Sequence, residues 1–264
     1  FRNVESLRLS SQWLHTNKNR QITLTPYARW SKMDFLQHFL PWQSQERNSQ
    51  WSLGFKAKSH YQLNNQWEML WGIDTDASQG KLLETQANPS PFSPAQIPVG
   101  THYNYTVNAL NTALYSQAYY SANTHLQFDF GLRADFQKYR YNNHLTTGSA
   151  CESGVENCRF FRPANRSNHF NNTALKLGTR YSFNKHVNAY LSFANGFRNP
   201  QATELYRLQA GQALANLKAV SAQSWETGLR IRNKHLTSSI NIFTMVLNDE
   251  IFQNSDRFNV NGLS

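Results

Sequence analysis

Residues 125 to 140 read HLQFDFGLRADFQKYR, and apolar and polar side chains alternate from Leu126 to Gln137. Successive residues of a β-strand point to opposite faces, so the pattern predicts a strand with two unlike faces. A strand in a soluble protein is usually about five or six residues long, and this alternation runs for roughly twice that length. One predicted face carries Leu126, Phe128, Phe130, Leu132, Ala134 and Phe136, and the other carries Gln127, Asp129, Gly131, Arg133, Asp135 and Gln137.

The composition limits the classes of protein to which the chain can belong. It has 264 residues, 39% of them hydrophobic and 16% charged, which argues against a disordered chain. No stretch approaches the roughly 18 consecutive apolar residues of a transmembrane helix. The net charge of +10 is compatible with nucleic acid, an anionic membrane or an anionic ligand, and charge alone does not choose among them. Phe1 follows neither an initiating Met nor a signal segment, so we expect a mature piece or a fragment.

The same alternation predicts about ten strands, joined by two kinds of connection. Short polar turns at 15–20, 63–66, 121–124, 184–186 and 233–235 alternate with long connections at 31–49, 77–104, 141–169 and 197–221. Long two-faced strands with short turns at one end and long loops at the other are typical of an outer-membrane β-barrel, with lipid outside and a polar lumen inside. A soluble β-sandwich is the alternative, but it does not explain the regular alternation of connections. The predicted strands are 4–14, 20–30, 50–60, 66–76, 105–120, 124–140, 170–182, 186–196, 222–232 and 235–247.

Four segments, in order along the chain, resemble the TonB-dependent receptors of the bacterial outer membrane. They are GLRADF (131–136), ANGFRNPQATELYRLQ (194–209), ANLKAVSAQSWETGLRI (215–231) and FTMVLNDEIFQNSDRFNVNG (243–262). The family motif in the second segment comprises Gly196, Phe197, Arg198, Pro200, Glu204, Leu205 and Tyr206. Ala219 and Val220 depart from the family, which often has Pro and Glu there.

The resemblance implies an all-β fold, an antiparallel transmembrane barrel of 22 strands with a plug in its lumen. Residues 1–264 would supply part of that barrel and no plug domain, since about ten strands are predicted. The implied protein lies in the outer membrane of a Gram-negative bacterium. Its implied partners are the TonB energy-coupling complex, acting through the missing plug, outer-membrane lipid and lipopolysaccharide, and a small-molecule metal chelate.

Active import of a scarce nutrient, above all a ferric siderophore, is the function that the resemblance implies. Candidate contacts for an anionic aromatic cargo are basic and aromatic residues of predicted loops and strand tops. They are Arg159, Phe160, Phe161, Arg162, Arg166, His169, Tyr206, Arg207 and Tyr103. Basic loop residues can equally meet lipopolysaccharide phosphates. The residues expected to face the lumen or the plug include Asp129, Arg133, Asp135, Arg180, Glu226 and Arg230.

Cys151 and Cys158 are the first and last residues of the eight-residue polar stretch CESGVENC, so a disulfide that closes this loop is expected. No other cysteine or histidine set has metal-ligand spacing, and we expect neither a metal site nor a cofactor.

Several alternative functions remain open. Haem receptors of the family carry a ligating His between two boxes, and no His occurs between Phe197 and Leu217, which disfavours haem. Cobalamin and carbohydrate are other possible cargoes. A small outer-membrane barrel enzyme, such as a protease, is the alternative from another class. Nucleic acid is disfavoured because the basic residues form no single stripe.

Overall fold

The computed structural model describes residues 1–37, 43–209, 212 and 215–251. Within the described residues, eleven strands form one antiparallel sheet, in which each long strand pairs with the next long strand along the chain, and three short strands form a second sheet. None of the helices in these ranges is long and apolar enough to cross a membrane. The elements are β1 (Arg2–Ser10), β2 (Trp13–Asn17), β3 (Arg20–Leu36), β4 (Gln45–Gln62), β5 (Trp67–Gln86), β6 (Gly100–Ser121), β7 (Leu126–Asn143), β8 (Gly148–Ser149), β9 (Phe160–Arg162), β10 (Arg166–Ser182), β11 (Val187–Arg198), α1 (Ala202–Tyr206), β12 (Leu208–Gln209), β13 (Val220–Arg232) and β14 (Thr237–Asn248).

The strand register continues the two unlike faces across the large sheet. Leu132 on β7 lies opposite Ser116 of β6 and Leu175 of β10, so side chains of one face form rows across neighbouring strands. The apolar face is solvent-accessible, with Leu132 at 56% exposure, which fits a surface whose medium is lipid rather than water. Other large exposed side chains of this face are Trp51, Leu53, Phe55, Leu110, Leu114, Phe130, Leu177, Leu191, Trp225 and Leu229. We call it the outer face and the polar one the lumenal face.

The apolar band on the outer face ends well before the strands do. On β7, apolar residues occupy the outer positions up to Phe136, and Lys138 and Arg140 follow them. On β5, Lys81 occupies an outer position above Ala77. The strands therefore extend past the membrane level on the side that carries the long connections.

These extensions shorten three of the predicted long connections. The connection predicted at 31–49 is only 37–44, because β3 runs to Leu36 and β4 begins at Gln45. Those predicted at 77–104 and 141–169 likewise shorten to 87–99 and 144–165. The backbone ladder continues beyond the membrane, but polar residues such as Lys138 and Arg140 occupy the outer positions there, so the apolar outer face that marks a strand in the sequence disappears.

The strand predicted at 4–14 is divided into β1 and β2. Ser11, in the gap, donates its N–H to the carbonyl of Pro26 at 3.1 Å. Pro26 has no N–H to return to Ser11, so the ladder loses one bond at this point and the strand is interrupted.

The short turns share one device built around asparagine. Asn64, Asn123, Asn184 and Asn233 each accept, through Oδ1, the backbone N–H groups two and three residues ahead, at 2.7–3.0 Å. An asparagine side chain that replaces a backbone turn in this way fixes a tight connection. All four lie at or beside predicted short turns.

Candidate ligand-binding site in the upper lumen

Above the apolar band, the lumenal face of β6 and β7 is lined with buried tyrosines. Tyr103 and Tyr141 are each only 1% exposed, and the ring of Tyr141 stacks on that of Tyr206 with 4.5 Å between centroids. They belong to an apolar group that also includes residues of the connection before β10 and of the connection after β11. We call it the upper-lumen cluster; its buried members are Leu82, Ile97, Tyr103, Tyr105, Val107, Tyr141, Phe160, Leu205, Tyr206, Leu208, Ala215 and Leu217.

The motif that carries the family resemblance builds the segment covering this cluster. Residues 199–209, which we call the latch segment, leave β11 and form α1 and β12. Glu204 accepts the backbone N–H of Gln201 at 2.7 Å and pairs with Arg198 at 3.0 Å, which fixes the start of α1. Leu205 and Tyr206 on α1 are 0% exposed.

The remaining motif residues lie just before α1. Gly196 and Phe197 are paired residues of β11, opposite Ala222 and Ser221 of β13. Pro200 is buried. The motif therefore specifies the fold of this connection.

A buried ion cluster joins the latch segment to the sheet. Arg207 Nη2 lies 2.5 Å from Glu84 Oε2 and 2.8 Å from Glu46 Oε2. Glu84 Oε1 lies 3.1 Å from His102 Nδ1, and Glu46 accepts a hydrogen bond from Gln37 at 2.8 Å. Glu46 and Glu84 are 7% and 1% exposed, so a cation buried beside them must balance their negative charges.

Local contacts keep both main partners charged. Burial alone would raise the pKa of Glu84, but the contacts with His102 and Arg207 outweigh burial and lower the pKa. Burial would lower the pKa of Arg207, but the charges of Glu84 and Glu46 outweigh it and raise the pKa. The ion pair is therefore fully formed at neutral pH.

Most of the aromatic and basic residues predicted to contact ligand are used in this packing. Phe160 is 4% exposed and stacks on His102, with ring centroids 3.7 Å apart. Arg162 donates to the backbone oxygens of His102 and Thr101 at 2.9 and 2.5 Å. Phe161 pairs with Leu208 in the small sheet.

The two predicted tyrosines also make internal hydrogen bonds. Tyr103 donates its hydroxyl to the backbone oxygen of Leu208, and Tyr206 donates to Asn168 Oδ1 at 2.8 Å. The structure thus brings Tyr103, Tyr206 and Arg207 together, but as part of the wall rather than as free surface.

Three of the predicted contacts have other placements. Arg166 faces the lumen opposite Tyr141, and its Nη1 is buried without a hydrogen-bond partner among the described residues. Arg159 is half-buried, and its backbone N–H donates to the oxygen of Gln96 at 3.0 Å. His169 lies opposite Lys138 on the outer face and is exposed, so it cannot contact a ligand in the lumen.

The residues predicted to face the lumen occupy lumenal positions of the register. Arg133 binds Asp135 at 2.7 Å and Asp74 at 3.3 Å, and Asp129 pairs with Lys176 at 3.3 Å. Arg180 donates to Gln127, Tyr190 donates to Glu226, and Arg230 lies opposite Asn188. Ion pairs therefore neutralise Arg133 and Asp129 in this part of the lumenal wall, whereas Arg180 and Glu226 bond to neutral side chains.

Sequence reasoning missed Glu46, Glu84 and His102. All three lie in segments predicted as long connections, so no strand position was assigned to them. The stretch GTHYNYT does alternate, and extending β6 through it would have placed Tyr103 and Tyr105 on one face.

The connection between β7 and β10 contains the two cysteines. A disulfide joins Cys151 and Cys158, whose Cα atoms are 5.8 Å apart. In the part of the chain that the structure describes, His, Cys, Asp and Glu form no group of three or more that could hold a metal ion.

The fold and the site define the wall of a receptor-type outer-membrane barrel. Residues 1–263 match the family described as TonB dependent receptor-like, beta-barrel, and the chain belongs to that family. Members of this family are outer-membrane proteins of Gram-negative bacteria and are receptors rather than enzymes. The predicted fold class is thereby confirmed, and the alternative of a small barrel protease is set aside.

Solved structures share the fold at low sequence identity. The ferric yersiniabactin uptake receptor FyuA from Yersinia pestis matches with a TM-score of 0.69 and 14% identity over 96% of this chain and 37% of its own. The copper transporter OprC matches with a TM-score of 0.71 and 13% identity over 94% of this chain and 39% of its own. The ferric citrate transporter FecA matches with a TM-score of 0.68 and 12% identity over 99% of this chain and 37% of its own. This chain thus spans about two fifths of their length. A comparison with curated proteins finds no match.

Proposed function

We propose that the protein carrying this chain is an outer-membrane receptor for TonB-dependent uptake of an anionic metal chelate, most specifically a ferric siderophore. Residues 1–264 are its partial barrel domain, and a plug outside this chain links it to the TonB complex. Membership of the receptor family supports this, as do structural neighbours named as receptors for ferric chelates.

Arg166 is the observation that carries the cargo class. Its guanidinium faces the upper lumen, where the opposite Tyr141 belongs to the aromatic wall, and its buried Nη1 has no hydrogen-bond partner among the described residues. A buried N–H without an acceptor is costly, and we expect the guanidinium to turn towards an anionic ligand oxygen that supplies the acceptor. Carboxylate, catecholate and hydroxamate oxygens of a metal chelate all have this chemistry.

The experiment measures binding of radiolabelled ferric siderophores to the full-length receptor and to its Arg166→Gln variant. We expect affinity to fall about tenfold or more, because a charge-assisted hydrogen bond is lost. Arg140→Gln is the matched control, since Arg140 lies one register position away on the outer face. Equal affinity of the two variants for every ferric chelate tested would contradict the assignment.

A second surface supports the proposal that the receptor lies beside lipopolysaccharide in the outer leaflet. Lys81, Lys138 and Arg140 lie on the outer face above the apolar band, and none has an acidic partner within 4 Å in the described ranges. Cations at this level lie where the phosphates of the outer leaflet are found. We call these three residues the outer basic belt.

A further inference from the structure

A cavity of about 490 Å³ opens from the lumenal wall beside α1 of the latch segment. Ala202 of α1 lines it, and the other lining residues come from β3, β4, β5, β6 and β7. Tyr139, on the β7 side, lies two residues from Tyr141, the register partner of Arg166. Two residues of a strand span about 7 Å, so one ligand can contact Arg166 and reach into the cavity.

Small residues of β5 and β6 form the floor of the cavity. Ser78 lies opposite Ala109, and Gly80 follows Ser78 on the same face. A Cβ placed on Gly80 would meet nothing within 4 Å. Ligand atoms can therefore approach the sheet closely at this position.

Ion pairs within the wall use most of the charge around the cavity. Arg29 binds Asp76 at 2.7 Å. Arg133 binds Asp74 at 3.3 Å and Asp135 at 2.7 Å. Three carboxylates thus face two guanidinium groups, and these pairs leave one negative charge.

Lys56 is the third cation of the lining and balances that charge. It lies opposite Asp74 in the register, and no carboxylate of the described ranges is within 4 Å of its ammonium group. Just outside the cavity, Glu204 is paired with Arg198, and Lys58 follows Lys56 on the lumenal face. The lining residues and their direct partners therefore carry no net charge, so net charge is not what recognises a ligand in this cavity.

Most of the hydrogen-bonding groups that remain for a ligand are neutral. The side-chain amides of Gln50 and Asn111 line the cavity, and neither has a hydrogen-bond partner among the described residues. Gln137 donates to the hydroxyl of Tyr139 at 2.8 Å and accepts from Asn199 of the latch segment at 2.6 Å. The Tyr139 hydroxyl keeps the capacity for one more hydrogen bond.

A carboxamide side chain is best matched by another amide. It offers N–H donors and a carbonyl acceptor in one plane, and an amide group of a ligand returns both kinds of bond. A carboxylate can only accept, so it uses the N–H side alone. The lining therefore suits amide groups better than additional carboxylates.

We propose that this cavity binds the amide-bearing backbone of the cargo while Arg166 holds its anionic oxygens. The cargo class is then a ferric siderophore whose chelating groups are joined through amide bonds, rather than the chelate of a simple carboxylic acid such as citrate. This inference rests on the proposed uptake function and narrows its substrate.

The test measures equilibrium binding of radiolabelled iron complexes to the full-length receptor and to its Asn111→Leu variant, in which an apolar group of similar size replaces the amide. The probes are the ferric complexes of two amide-linked chelators, a trihydroxamate and a tricatecholate, and of citrate. We expect affinity for an amide-linked complex to fall about fivefold, because one or two neutral hydrogen bonds are lost. Any binding of ferric citrate should be unchanged, because citrate offers no amide.

Gln117→Leu is the matched control and should keep the wild-type affinity. Gln117 presents an amide from the lumenal face of the same strand, but it is not among the residues that line the cavity. If Asn111→Leu does not fold, Gln50→Leu removes the exposed amide on β4 and tests the same recognition.

The outcomes separate this inference from the proposed uptake function. Unchanged affinity of Asn111→Leu for the amide-linked complexes would overturn the inference, as would an equal loss in Gln117→Leu. A receptor that binds ferric citrate but neither amide-linked complex would also overturn it and would leave the uptake function standing. A receptor that binds no ferric chelate would overturn both.

Discussion

At the scale of single residues, glycines decide where large lumenal side chains can lie. Gly54 on β4 lies opposite Tyr27 on β3 and Asp76 on β5. A Cβ at Gly54 would be 2.0 Å from the Cζ atom of Tyr27, so the ring rests directly on this glycine. Tyr27 crosses β4 in this way and donates its hydroxyl to Asp76 at 2.6 Å.

Gly54→Ala should therefore displace the Tyr27 ring and break its bond to Asp76. We expect the full-length receptor to lose about 1–3 kcal/mol of unfolding free energy, the usual cost of overpacking. Denaturant unfolding in detergent measures it. Gly80→Ala is the control, because nothing lies within 4 Å of a Cβ placed there. Equal losses in the two variants would show that the contact with Tyr27 is not the cause.

Glu84 gives the latch segment a pH limit on the acid side. Its pKa is lowered in the folded state, so its contribution to stability is complete above the ordinary glutamate range, about pH 4.3, and is lost as the pH falls through the lowered value. A nitroxide label attached to Thr203→Cys of the full-length receptor, at an exposed position of α1, should become mobile as the pH falls through this lowered value. Glu84→Gln should be mobile without an acid transition, and an acid transition that persists in this variant would assign the effect to another carboxylate.

At the scale of elements, the strands above the membrane carry different chemistry on their two faces. β7 directs Tyr139 and Tyr141 towards the lumen, and Lys138 and Arg140 towards the outside. One strand thus contributes to the aromatic wall of the candidate site and to the outer basic belt, and the period of two residues keeps the two surfaces apart.

Removal of two charges from the outer basic belt should weaken association with lipopolysaccharide. In the double variant Lys138→Gln/Arg140→Gln, we expect less lipopolysaccharide to remain bound per receptor after detergent extraction, measured by mass spectrometry. Each cation near an anionic surface contributes about 1 kcal/mol, so the ratio should fall about tenfold or more. Lys56→Gln/Lys58→Gln, on the lumenal face, is the matched control. An equal reduction in the control would indicate a general effect of charge.

At the scale of the whole molecule, the sequence predicts the structural features that depend on neighbouring residues. It does not predict those that depend on contacts between distant residues. The two faces of β7 and the turns at Asn64, Asn123 and Asn184 follow from local patterns, and the structure has them. Strand ends above the membrane do not follow, because the outer positions there carry polar residues and the apolar side chains lie on the lumenal face instead. The ion pair of Glu84 with Arg207 joins residues 123 positions apart, and no local pattern relates them.

The cargo class makes a prediction for the intact cell. A receptor for ferric siderophores is needed when iron is scarce, and Arg166 beside the aromatic wall fits the anionic oxygens of such chelates. We expect the amount of the full-length protein in the outer membrane to rise strongly when an iron chelator is added to the medium. Quantitative mass spectrometry of outer membranes measures it, with an unrelated porin as the reference. An unchanged amount under iron limitation would contradict the ferric cargo and direct binding assays to cobalamin, carbohydrate or another metal complex, while the lumenal wall that holds Arg166 would remain the place to test them.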